Sequence, residues 1–146
     1  QAYLANDAIQ FKIEHGLWHI QLSTDLIQAD LRLKPESESL PLMLCTPTAY
    51  SGWTYTQKHN ALAVQGEMSV RGQPQELTNA VAGYDFSAGY MRRETSWRWA
   101  SINHHSEGKR IGLNFAAGVN ETGHCENVIW IDGERHLMSP VQFEFS

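Results

Sequence analysis

Three carboxylates in this chain sit beside aromatic residues and are candidates for acid–base work. Asp85 lies between Tyr84 and Phe86, Glu94 lies just before Trp97, and Glu126 precedes Ile129 and Trp130. An apolar neighbourhood raises the pKa of a buried carboxyl and leaves it a proton to deliver. Asp85 and Glu126 are the candidate catalytic residues. Each also has a structural reading: Asp85 as a turn cap or a partner for Arg92 or Arg93, and Glu126 as the opening of a hairpin. The sequence offers no G-x-S-x-G elbow, C-x-x-C pair or phosphate-binding glycine loop, and no nucleophile–base pair, so acyl transfer is not expected. His104, His105, His124, Cys125 and Glu126 are metal-ligand types, yet their spacing fits no common zinc pattern. Neighbouring residues on a strand also face opposite ways. No metal and no cofactor are expected.

Binding chemistry is concentrated in the stretch from Tyr84 to Asn103, which carries Phe86, Tyr90, Trp97 and Trp99 together with Arg92, Arg93 and Arg98. If this stretch is extended from Trp97 onward, Trp97, Trp99 and Ser101 share one face, and Arg98, Ala100 and Ile102 the other. Two indoles at i and i+2 form an apolar wall about 7 Å long. Arginines at its rim would anchor a carboxylate or another polar head, the usual build of a small-molecule pocket. Asn127 and Trp130, which follow Glu126, are candidates for the same cavity. The competing reading is an ordinary core strand preceded by a charged turn.

The elements that must position these residues all read as strands. Ile9, Phe11 and Ile13 alternate, Glu14-His15-Gly16 marks a turn, and Trp18, Ile20 and Leu22 resume the alternation. Asp25 to Leu33 alternates again. Pro41 and Pro47 flank a run too short for a helix, and Tyr50 to Lys58 is aromatic and β-branched. Ala61 to Val70 is a separate alternating strand, and Gln75 to Ala82 is either a short helical turn or coil. His104 to Gly108 reads as a loop and Arg110 to Ala116 as a strand. Asp132-Gly133 is a type I′ hairpin signal, and Val141 to Phe145 reads as a closing strand. With turns every ~8–12 residues and no sustained helical period, the expected class is all-β: an antiparallel barrel or sandwich in one domain spanning residues 1–146.

The ordered set Tyr55-Thr56-Gln57-Lys58, Val64-Gln65-Gly66, Asp85-Phe86-Ser87-Ala88-Gly89-Tyr90, Trp97-Arg98-Trp99-Ala100-Ser101, Ile111-Gly112-Leu113-Asn114 and Glu126 through Gly133 resembles the family of domain of unknown function 2804. The resemblance runs from Ala49 to Phe145. Members of that family are usually much longer, which implies that this chain is a central piece of a two-part protein. The family is similar, more distantly, to the calycin-like proteins that include lipocalins and carotenoid hydratases. That implies a lipocalin-like barrel, incomplete or strand-exchanged within these residues, with an interior for an apolar ligand.

Composition narrows the partners. The chain has 146 residues, a net charge of −5 and seven histidines, which favours neither nucleic acid nor an anionic membrane. No apolar run is long enough to span a bilayer, and no signal-peptide pattern opens the chain. Cys45 and Cys125 make no disulfide framework, so a reducing cytoplasmic setting is the default. Three functions follow, in order of expectation. The first is a module that binds an apolar small molecule. The second is a structural half-barrel that joins the rest of the protein or a second copy through its strand edges. The third is a hydratase or isomerase that uses a buried carboxyl.

Overall fold

A computed structural model describes residues 2–36, 38–48, 51–91, 94–119 and 123–144, and every regular element among them is a β-strand. The chain divides into two compact units. The first holds residues 1–37 and 62–82; the second holds residues 38–61 and 83–146.

The first unit opens with β1 (Ala2–Ala5), β2 (Ile9–Glu14), β3 (Leu17–Ser23) and β4 (Ile27–Lys34), an antiparallel meander. His15 and Gly16 both take positive φ, as a two-residue type I′ turn requires. Between β3 and β4, the Thr24 hydroxyl accepts from the Ile27 amide at 2.9 Å and closes the turn. β4 then pairs with residues Ala63–Val70. At Gly66 (φ 128°) a Cβ would lie 1.9 Å from the Asp30 carbonyl oxygen, so only glycine lets these two strands approach.

The second unit contains β5 (Leu42–Thr48), the first part of β6 (Gly52–Val70), β8 (Val81–Gly89), and a sheet in the order β12-β11-β10-β9. That sheet comprises β9 (Arg98–Ser106), β10 (Lys109–Ala117), β11 (Val128–Ile131) and β12 (Glu134–Leu137). β7 is the two-residue bridge Gln73–Pro74, which pairs back on the end of β6. Leu42, Val128 and Trp130 form the apolar core, with Leu44 against it. Pro47 is tolerated because β5 is an edge strand. Neither sheet returns to its first strand, so the all-β antiparallel architecture stays open and no barrel closes among the described residues.

Several strand boundaries differ from the sequence expectation. β6 is one strand of 19 residues, not two. The alternation changes phase at Ala61, whose φ of 57° puts an extra residue into the buried face, and His59, Asn60, Ala61 and Leu62 are buried in succession. His104 and His105 lie within β9, because the turn falls at Glu107 and Gly108, both with positive φ. Residues 141–144 do not take strand structure, so the expected closing strand is not formed over them; Phe145 lies outside the described residues. Among the described residues no helix is long and apolar enough to cross a membrane.

Candidate functional site

β6 alternates, and its buried side from Thr54 to Lys58 is polar: Thr54, Thr56 and Lys58 are enclosed while Trp53 is exposed. Such a face cannot fill a core by itself, and it forms the floor of a cleft of about 270 Å³. Lys58 is the central group. Its ammonium donates to Asp85 Oδ2 on β8 and lies 3.4 Å from Glu126 Oε2, just ahead of β11. It also sits 5.5 Å from the centroid of the Trp99 ring, within cation–π range. Lys58 and Glu126 are buried, whereas Asp85 is partly open to solvent. Two carboxylates around one enclosed ammonium offset part of the cost of burying its charge.

Trp97 and Trp99 form the wall, together with Met91, Pro47, Ala116 and Val119. Trp97 and Trp99 remain 52% and 50% exposed, and both line the cleft. Trp99 is held in place by its Nε1–H, which donates to Asn114 Oδ1 at 2.7 Å. Asn114, itself buried, donates through Nδ2 to the Glu126 carbonyl at 2.6 Å. A single amide on β10 therefore orients both the aromatic wall and the segment that carries Glu126. Beside Lys58, Thr56 shares a hydrogen bond of 3.1 Å with Ser87.

Of the residues singled out from sequence, Asp85, Trp97, Trp99 and Glu126 come together in this cleft. Five others lie outside its lining. Phe86 is half-exposed and packs edge-on against Tyr55 at 6.3 Å; Tyr90 is exposed and packs against Trp53. Arg98 is exposed on β9. Asn127 is enclosed, accepting from the Ala116 amide and donating to the Ser139 carbonyl. Trp130 is 0% exposed in the core, its Nε1–H donating to the Leu40 carbonyl at 3.0 Å. Arg92 and Arg93 lie outside the described residues.

Sequence reasoning missed Lys58 and Asn114 as site residues. Both belong to quoted motifs, but each lies on the more polar face of its strand, opposite Trp53 and Tyr55 or Ile111, Leu113 and Phe115, which alternation alone would turn outward. It also missed a serine–histidine contact, Ser39 Oγ to His59 Nε2 at 2.7 Å. Burial, and next the nearby Arg135 charge, push the His59 pKa down to about 4. So weak a base does not activate a serine near neutral pH, and the contact serves the core. Cys45 and Cys125 are free thiols, and among the described residues no three His, Cys, Asp or Glu side chains gather as a metal site.

No curated protein and no solved structure matches the chain. Residues 3–146 match the family described as Domain of unknown function (DUF2804), and the chain belongs to that family.

Proposed function

We propose that the second unit is a binding module for a small, largely apolar molecule laid against Trp97 and Trp99. One observation carries this reading: two half-exposed tryptophans line the same cleft as the Lys58–Asp85–Glu126 cluster, in which Lys58 and Glu126 are buried. Apolar wall with a few convergent polar groups is the usual make-up of a ligand site. At about 270 Å³ the cleft lies at the lower edge of the roughly 300–1,000 Å³ typical of such sites. It would take a compact ligand or one end of a longer one. Each ~100 Å² of apolar surface covered contributes roughly 2.5 kcal/mol. Titration with Nile red, an uncharged apolar dye, should raise dye emission and quench tryptophan emission, with the response lost in the Trp97→Ala/Trp99→Ala double variant. No dye response, or an unchanged response in that variant, contradicts the reading.

A second reading is favoured by the convergence of Asp85 and Glu126 on one lysine. Two carboxylates in unlike surroundings, one enclosed and one reached by solvent, can divide acid and base roles. A hydratase or isomerase working there would lose turnover in Asp85→Asn and Glu126→Gln while keeping its fold. Assembly through open edges is the third reading, supported by exposed Leu137 on the edge strand β12. Light scattering showing a monomer would count against it.

A further inference from the structure

We infer that the molecule received by this cleft carries a positive charge, as a substituted ammonium joined to an apolar body, and that the cleft ranks such a cation above neutral and anionic molecules of the same shape. This deepens the binding reading and rests on it.

The first observation concerns which charge a ligand can reach. Among the described residues that line the cleft, one lysine, Lys58, stands against two carboxylates, Asp85 and Glu126, so one formal negative charge is left over. The three groups are not equally accessible. The side chains of Lys58 and Glu126 are 8% and 5% exposed, whereas that of Asp85 is 39% exposed. The charge that an incoming molecule meets is therefore the Asp85 carboxylate. The Lys58 ammonium is enclosed and already engaged by both acids and by the Trp99 ring. An anion would have to displace one of those partners and then lie beside like charge in a partly desolvated site. A cation is repelled by one enclosed ammonium but attracted by two carboxylates, the more accessible of which is Asp85.

The second observation concerns the rings. Trp97 and Trp99 line the same cleft and are each about half exposed. The face of an indole carries partial negative charge and attracts cations. Trp99 already does this within the fold, with the Lys58 ammonium 5.5 Å from its ring centroid. Its Nε1–H bond to Asn114 holds the ring in place, so little ordering remains to be done when a ligand arrives. Indole faces beside an accessible carboxylate are the chemistry that recognises bulky ammonium groups. A tertiary or quaternary ammonium suits such a wall best. Its alkyl groups spread the charge, lower the cost of leaving water and need few hydrogen-bond acceptors.

The test is displacement of Nile red by three probes of nearly one shape: phenyltrimethylammonium, tert-butylbenzene and 2-methyl-2-phenylpropanoate, which are cationic, neutral and anionic. The cation should compete about threefold or more above the neutral probe and about thirtyfold or more above the anion. Raising NaCl from about 50 to about 500 mM should weaken the cation alone. Asp85→Asn should weaken the cation about three- to tenfold and leave the neutral probe unchanged. Trp97→Leu, which keeps an apolar side chain but removes the ring, should narrow the cation's advantage. The probe ranking and the salt response are read on the wild-type chain, so they decide the matter even where a variant loses stability. A neutral or anionic probe that binds as tightly as the cation overturns the inference while the binding reading stands. So does a folded Asp85→Asn variant that keeps full affinity for the cation. Failure of the wild-type chain to bind Nile red overturns both.

Discussion

Lys58 and His59 are neighbours on β6, and both are enclosed, yet the strand delivers them into opposite surroundings. Lys58 meets two carboxylates and a half-exposed indole beside a hollow. His59 meets Ser39, the fully buried Trp130 ring at 5.5 Å, and the edge of Tyr84 at 6.1 Å. One side of the strand surrounds a charged side chain with counter-charges. The other keeps its imidazole neutral by removing water. The same contrast separates the tryptophans: Trp130 is a core residue, while Trp97 and Trp99 are wall residues left uncovered. Burial on one side therefore stabilises the fold, and on the other it prepares a site.

The largest effect should come from the core side. Trp130→Ala removes a side chain with no exposed surface and its bond to Leu40, and should lower stability by about 3–5 kcal/mol in urea titration. Trp99→Ala removes a half-exposed ring and should lower it by no more than about 1–2 kcal/mol. Equal losses would erase the distinction between core and wall. Lys58→Met should come close to the larger figure, at about 3–5 kcal/mol, because it removes the counter-charge beside the enclosed Glu126 carboxylate. Adding Glu126→Gln and Asp85→Asn to that variant should recover part of the loss. Additive losses instead would mean that the three groups do not act as a unit.

His59 gives the next effect, and its sign is opposite to that of a paired histidine. Its folded pKa of about 4 lies below the ordinary 6.5, so the unfolded chain takes up the proton first as pH falls. The stability tied to its neutral form is fully present above about pH 6.5 and is lost on descending towards pH 4, roughly 3 kcal/mol in all. His59→Gln should flatten that part of the stability–pH profile. A profile equally steep in the variant would place the titration elsewhere.

The hairpins and the strand class were legible because alternation and left-handed turn residues act locally; Asp132-Gly133 is the plainest case, and both residues take positive φ. The indole pair was legible for the same reason, since an i, i+2 spacing on a strand shares a face. What was hidden depends on contacts across strands. On β10 the apolar residues Ile111, Leu113 and Phe115 are half-buried, while Gly112, Asn114 and Ala116 on the other face are enclosed. Gly112 is small because a Cβ there would lie 2.6 Å from that of Asn60, whose amide donates to the Leu113 carbonyl at 2.6 Å. Hydrophobicity alone ranks those faces the wrong way. Lys58, Asp85 and Glu126 are likewise far apart in sequence, and only strand packing shows that they share one cleft.

The most direct test follows the indole N–H resonances of the five tryptophans while the chain is titrated with 1-decanol or Nile red. The resonances of Trp97 and Trp99 should shift together and saturate, with that of Trp130 unmoved. Shifts confined to Trp53 or Trp130, or no shift at ligand saturation, would show that the hollow beside the paired indoles is not where this protein receives a molecule.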